Sequence, residues 1–521
     1  MEHFKYRFNL LLKTSGYSYQ KHQEDGMLWC VAQEHNKPEY QGKFGGIIAD
    51  EMGCGKTFMT ISLIACNLLP KTLIVLPRQL IDQWKTSIFK ITGHKPFVYY
   101  NNKNEELLHD ATIVITTYGV ISHKYKNDSI IHSIKWDRII YDEAHHMKSY
   151  NTLKHVSGNK LQSNIKWLIT GTPIQNDIND LYALFTILDV KKPRNIPISE
   201  LKKSIIKRTK ESVNIHLPPV ITTETEVSWN NAEEKIVSRI LHKCTNPNLH
   251  DSSYIRYSCL SDDKVCNRTT PECMDEPADK FEPIQQEFAD DKCNKMSFKN
   301  ECVTSLENIT EIETKLKNYI LQIMGSYYLT YYLRCKQACI STQLLHKLQD
   351  NITKCELHDN TLINKAFTNS NNKIKKVVQK LKERHNNCNN KIIFCNFKNE
   401  MDMIKQQLYD NGIYDVEIYD GRITQKQRIN ILQNKPNILI IQIQMGCEGL
   451  NLQYANEIYF VGPLWNPATE QQAIGRCYRL GQTKPTYVFK FYMENVYEET
   501  SMDYYILNKG LNKIKTQQII S

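Results

Sequence analysis

The chain has 521 residues, 41% hydrophobic and 23% charged, which are globular values with room for several domains of the usual ~100–200 residues. No apolar run approaches the ~20 residues of a membrane helix, and Phe8-Asn9-Leu10-Leu11-Leu12 is too short for a signal-peptide core, so a soluble, intracellular protein with no membrane partner is expected. The net charge of +10 is uneven: residues 262–291 carry ten acidic and three basic side chains, leaving a positive main body that fits a polyanion without choosing DNA over RNA.

Short β-rich apolar runs alternate with longer helical stretches. Strands are predicted at 46–49, 72–76, 112–116, 138–141 and 166–170, then at 391–395, 416–419, 437–442, 457–461 and 487–492. Such alternation implies an α/β fold with two mostly parallel sheets, each flanked by helices, and ligand groups at the strand C-terminal ends. The predicted organisation is a first lobe over 1–225, an inter-lobe region over 226–330 and a second lobe over 331–521.

The first predicted strand runs into Ala49-Asp50-Glu51-Met52-Gly53-Cys54-Gly55-Lys56-Thr57 and then an apolar helix start. Backbone N–H groups of such a turn and helix N-terminus can cradle phosphate oxygens. Lys56 would reach the β/γ-phosphates and the Thr57 hydroxyl would ligate Mg²⁺. The strict pattern has Gly where this chain has Asp50. Downstream, the strand Arg138 to Tyr141 ends in Asp142-Glu143-Ala144-His145. Asp142 is placed to hold the Mg²⁺ shell and Glu143 to orient or deprotonate the attacking water. Arg476 and Arg479, three apart on a predicted helix face, can supply positive charge to a phosphoryl transition state. The expected cofactors are ATP and Mg²⁺.

With these motifs in this order, the chain resembles the Swi/Snf-like family of DNA-dependent ATPases in helicase superfamily 2. The segment from His22 to Trp29 resembles the family's entry motif, whose equivalent of Gln23 reads adenine. Asp50 to Thr57 resembles its version of the phosphate loop, and Asp142 to Lys148 its DEAH-containing segment. Leu73 to Pro77 with Trp84, Ile115 to Tyr118, and Leu168 to Asn176 resemble further motifs. Arg208-Thr209-Lys210 resembles the stretch leaving the first lobe, and Leu333 to Gln337 the helix entering the second. Gly446 to Leu452, Trp465-Asn466-Pro467, and Gln472 to Gln482 complete the series. Lys207, Cys447-Glu448, Gly462, Gly475 and Tyr478 depart from the family's frequent residues there. The resemblance implies two RecA-like lobes, with Gln472 joining the nucleotide site. It implies nucleic-acid contacts by Arg78, Thr117, Tyr118, Lys148, Gly449 and Trp465, mostly to phosphates.

Between the lobes, Pro271, Pro277 and Pro283 punctuate an acidic stretch, and residues 245–305 read as a mobile insert. Its cysteines (Cys244, Cys259, Cys266, Cys273, Cys293, Cys302) are spaced more widely than the C-x₂₋₄-C pairs of zinc sites, so zinc is not expected. The other cysteines (Cys54, Cys395, Cys447 and Cys477 among them) read as reduced, buried thiols.

The expected function is an ATP-dependent double-stranded DNA translocase. It would remodel or displace protein–DNA complexes, with DNA-bound proteins or transcription machinery as further partners and a role in repair or transcription. The alternatives are a strand-separating helicase and an ATP-gated DNA-binding scaffold. The expected compartment is the nucleus or another DNA-containing one. The Asn-, Ile-, Lys- and Tyr-rich composition fits an AT-rich genome such as that of a large DNA virus, where a viral factory would serve.

Overall fold

A computed structural model describes residues 1–100, 105–124, 129–229, 328–345, 372–446, 449–495 and 500–517, with isolated positions between 235 and 241. The acidic stretch 262–291, the six cysteines weighed for zinc, and Cys447-Glu448 lie outside these residues. The chain divides into two compact units, Met1–Lys235 with Lys336–Ser521, and Ile236–Cys335. Both sheets belong to the first.

The first sheet contains β1 (Phe44–Ile48), β2 (Thr72–Leu76), β3 (Phe97–Val98), β4 (Ile113–Thr117), β5 (Trp136–Asp142), β6 (Ser163–Ile169) and β7 (Ile205–Ile206), in the order β3-β4-β2-β5-β6-β1-β7. The second contains β8 (Val220–Val227), β9 (Lys391–Cys395), β10 (Val416–Tyr419), β11 (Ile438–Gln442), β12 (Glu457–Phe460) and β13 (Thr486–Met493), in the order β10-β11-β9-β12-β13-β8. All paired neighbours run parallel.

Strand alternation explains why both faces of the first sheet are covered. Leu73, Val75, Ile139 and Tyr141 join one buried cluster, while Ile74, Leu76, Ile140 and Ile169 join the other. The second cluster also receives the helix Lys21–His35, tied to the sheet by a buried ion pair. Arg138 donates through Nε and Nη2 to Glu34, each at 2.6 Å, and Trp167 Nε1 donates to the same carboxylate at 2.8 Å. A fully desolvated pair needs such hydrogen bonding around its carboxylate, although Arg138 Nη1 is buried without a hydrogen-bond partner among the described residues. The pair fixes the helix that carries His22 and Gln23.

The ten predicted strands are present, with ends shifted by up to three residues. Three more exist. Val220–Val227 pairs in register with Thr486–Met493, so the boundary predicted at 225 falls inside a strand of the second sheet. Its V-I-T-T-E-T-E-V pattern is an exposed edge strand whose identity depends on a partner 266 residues away. Phe97–Val98 and Ile205–Ile206, two residues each, extend the edges of the first sheet.

Registers such as Leu76↔Thr117, Asp142↔Ile169 and Ile48↔Ile169 bring the C-terminal ends of β1, β2, β4, β5 and β6 to one level. The predicted ligand groups follow these ends, as a parallel sheet requires.

Candidate active site

The phosphate loop leaves β1 and enters the helix Lys56–Cys66 through Gly55, whose φ is +85°. A Cβ there would stand 2.2 Å from Gln23 Nε2, the movable end of that side chain, so it is the left-handed φ that calls for glycine. His22 Nε2 lies 2.9 Å, and Gln23 Nε2 3.5 Å, from the Cys54 carbonyl oxygen. Asp50 is a structural member of the loop. Its buried carboxylate receives two N–H groups of Arg208, which also donates to the His22 carbonyl. Lys210 Nζ is 2.8 Å from Glu51 Oε1, and Lys210 N donates to Glu51 Oε2 at 2.8 Å. Lys56 Nζ donates to the carbonyls of Asp50 and Glu51 at 2.7 and 3.3 Å. Burial pulls the Lys56 pKa below its usual range, against the charges of Glu143 and Asp50. Thr57 is half-buried, and its hydroxyl makes no hydrogen bond among the described residues.

The acidic pair ends β5. Trp84 Nε1 donates to Asp142 Oδ2 at 2.7 Å, and the Glu143 amide donates to Asp142 Oδ1 at 3.0 Å. Glu143 has φ 51° and ψ 50°, a left-handed conformation that costs a non-glycine residue roughly 1–3 kcal/mol and persists where its surroundings enforce it. Burial and the Glu143 charge raise the Asp142 pKa. Burial opposes ionisation of Glu143 too, but His145, Arg476 and Lys56 outweigh it and hold its carboxyl low. Glu143 is therefore the more readily ionised of the pair. His145 Nδ1 lies 3.4 Å from Glu143 Oε2 and 3.3 Å from Thr170 Oγ1, tying the pair to the motif after β6.

Glu143 Oε2 is buried, with His145 Nδ1 3.4 Å away and no closer hydrogen bond among the described residues. A buried carboxylate, a neighbouring carboxyl, the Thr57 hydroxyl and a buried ammonium at a phosphate loop fit a triphosphate with its divalent cation. Thr57 and Asp142 would hold Mg²⁺.

The second lobe closes on these groups. Gln472 Nε2 donates to Thr172 Oγ1 at 3.3 Å, and Arg476 Nη2 is 3.6 Å from Glu143 Oε1. A Cβ on Gly475 would stand 3.2 Å from both Met52 Cβ and Sδ, and one on Gly53 would stand 3.7 Å from Arg479 Cα. Lys210 Nζ sits 4.7 Å from the centre of the Tyr478 ring. Glu51, Met52, Gly53, Cys54 and Gly55 are thus held between Gln23 and the second lobe. The predicted shared helix face of the two arginines is corrected: the helix Pro467–Cys477 stops before Arg479, which lies in the following turn. Gln482 fixes that turn by donating to the carbonyls of Gln453, Ala455 and Cys477.

The nucleic-acid candidates separate into groups. Arg78 is exposed, with its guanidinium 4.9 Å from the Tyr100 ring centre. Trp465 is 45% exposed, and Lys148 donates to Gln175 Oε1 at 2.8 Å. Gly449 packs against Leu80 and Gln79 of the first lobe. Thr117 and Tyr118 are buried, and their side chains are not offered to a ligand. The Tyr118 hydroxyl donates to the Asp142 carbonyl at 2.8 Å, while Thr117 Oγ1 accepts from Val120 N. The Tyr118 bond joins the end of β4 to the acidic turn. Sequence reasoning also missed Arg208, Lys210, Trp84 and Thr172 as site residues. The signal for Arg208 was the unusual Asp50, a carboxylate in a phosphate loop that needs a cation.

Two parallel-sheet lobes with a phosphate loop and acidic pair on one and arginines on the other define a helicase-like ATP hydrolase. Residues 22–198 match the SNF2-related domain, and residues 372–481 match the Helicase conserved C-terminal domain. The chain belongs to the SNF2-related family of helicase-like ATPases. It is 26% identical to the DNA repair protein RAD5B of Arabidopsis thaliana, over 87% of this chain and 44% of that protein. It is 24% identical to the Helicase-like transcription factor of Homo sapiens, over 83% of this chain and 49% of that protein. The chain spans about half the length of the curated relatives it matches. The solved Sulfolobus solfataricus SWI2/SNF2 ATPase core in complex with dsDNA aligns over 96% of this chain and 95% of its own, at 18% identity and a TM-score of 0.37.

Proposed function

We propose that this chain is a DNA-stimulated ATPase that tracks along double-stranded DNA and remodels or displaces protein–DNA complexes, in repair or transcription. The observation that carries the reading is the composite site: Gln472 reaches Thr172, Arg476 reaches Glu143, and the Arg479 backbone lies against Gly53. Hydrolysis then depends on the two lobes being together, so lobe movement and phosphate chemistry are coupled.

In this reading the backbone of 51–55 and Lys56 bind the triphosphate. Thr57 and Asp142 would hold Mg²⁺, which would supply positive charge against the charge developing on the phosphates. Glu143, ionised, accepts a hydrogen bond from the attacking water and takes its proton. Arg476 and Arg479 stabilise the charge on the transferring phosphoryl group from the second lobe. Gln23 faces the adenine side of the loop. The relatives' names, a DNA repair protein and a helicase-like transcription factor, support DNA as the polymer. They also support the nucleus or another DNA-containing compartment.

The test is the steady-state ATPase rate without nucleic acid and with duplex DNA, single-stranded DNA or RNA, beside Glu143→Gln. Stimulation mainly by duplex, abolished by Glu143→Gln, is expected. Stimulation mainly by single strands or RNA would move the assignment to a strand-separating helicase. No turnover under any condition would leave an ATP-gated scaffold.

A further inference from the structure

The C-terminal helix Met502–Gln517 lies beyond both matched domain regions, and it brings a lysine to the seam between the lobes. Lys513 Nζ donates to Asn176 Oδ1 of the first lobe at 3.1 Å and to the Trp465 carbonyl of the second at 3.2 Å. The next residue along, Gln175, accepts from Lys148 Nζ at 2.8 Å. Two ammonium groups of the two lobes therefore rest on adjacent side-chain amides. Neither forms an ion pair among the described residues. Asp180, the carboxylate that acts on Lys513, accepts the backbone N–H groups of Gln175 and Asn176 on Oδ2, at 2.9 and 2.6 Å. Burial and the Lys148 charge depress the Lys513 pKa, with Asp180 opposing. Two like charges held together over neutral oxygens are relieved by an anion between them. Beside them Trp465 is 45% exposed, with Lys513 Nζ 5.6 Å from its ring centre.

We propose that Lys148 and Lys513 form an inter-lobe clamp for one backbone phosphate of a DNA duplex, flanked by Trp465. The clamp rests on the DNA reading above and adds the C-terminal helix to the contact surface. Because it takes one ammonium from each lobe, a phosphate held there contacts both halves of the motor at once. An ammonium on phosphate carries no base information, so the contact is sequence-independent.

The test is duplex affinity, by anisotropy of a labelled duplex, as a function of salt for the full chain. Each neutralised phosphate contributes roughly 0.9 to the log–log slope. Lys148→Gln with Lys513→Gln, which frees the phosphate, is expected to make the slope shallower by about 0.9, corresponding to about eightfold weaker binding at ~0.1 M salt, and Lys513→Gln alone should give a measurable part of that change. Lys513→Arg should keep the wild-type slope. Asn176→Ala removes the inter-lobe hydrogen bond but keeps the charge, and should keep it too. A Lys513→Gln line superimposed on a duplex-binding wild type overturns the clamp and leaves the DNA reading intact. An Asn176→Ala line matching Lys513→Gln also overturns it, because lobe bridging would then be the cause. A wild type without duplex affinity sinks the DNA reading itself, and the clamp with it.

Discussion

Replacing Arg208 separates a loop held by its own sequence from one held by the chain that returns to it. The Asp50 side chain is 1% exposed and the Arg208 side chain 17%, and their bond is two-pronged. In Arg208→Leu the apolar stem remains, but a buried carboxylate loses its cation. Removing one partner of a buried pair costs about 3–5 kcal/mol. The partial exposure of Arg208 puts the expected value near the lower end, about 3 kcal/mol, including the lost bond to the His22 carbonyl. Arg208→Leu combined with Asp50→Asn removes both charges, so it should recover a large part of that loss, with a coupling of about 2 kcal/mol in a double-mutant cycle. Urea unfolding followed by tryptophan emission is suited to this, because Trp84, Trp136 and Trp167 are all fully buried in the first lobe. ATP affinity should fall in Arg208→Leu, since the loop loses its anchor. A single-mutant loss below about 0.5 kcal/mol, or strict additivity in the cycle, would refute the reasoning.

Three further outcomes are expected. Gly475→Asp places a Cβ 3.2 Å from Met52. Overpacking costs of about 1–3 kcal/mol translate into a roughly 5- to 150-fold fall in kcat/KM, partly restored by Met52→Ala; an unaffected single mutant would contradict the packing. Tyr118→Phe removes the bond to the Asp142 carbonyl and should lower DNA-stimulated kcat about 2- to 10-fold with duplex affinity unchanged, whereas lost affinity with normal kcat would restore Tyr118 as a DNA contact. Burial raises Glu400 from its ordinary 4.5 to about 7, against the amides of Phe397 and Asn396 and the charges of Lys336 and Lys373. The folded state thus binds the proton more tightly, so this group's contribution is fullest below pH ~4.5 and is lost as pH rises to ~7. Glu400→Gln should therefore be the more stable protein at pH 8, by an amount that fades toward pH 5; a pH-independent difference in unfolding free energy would be inconsistent with this.

Much of the site was legible because its chemistry is local. The phosphate loop and the acidic pair each occupy fewer than ten consecutive residues, and strand ends locate them on the sheet. The unread parts depend on distant partners. Val220–Val227 has five consecutive polar residues, Thr222 to Glu226, and is mostly exposed, so only its pairing with Thr486–Met493 makes it a strand of the second sheet. Arg208 reaches Asp50 across 158 residues. The position of Arg479 past the helix end follows from Gln482 capturing three carbonyls, which a three-residue spacing does not reveal. The family resemblance implied a nucleic-acid contact by Tyr118, but its hydroxyl donates to the Asp142 carbonyl inside the lobe.

The central claim is that phosphate chemistry at a site shared by both lobes drives movement along duplex DNA. Triplex displacement from a duplex tests it most directly, comparing wild type with Arg479→Ala. The account expects ATP-dependent displacement by wild type, with ATP turnover and displacement both lower by on the order of 10³-fold in Arg479→Ala. Near-normal DNA-stimulated hydrolysis and displacement by Arg479→Ala would contradict it.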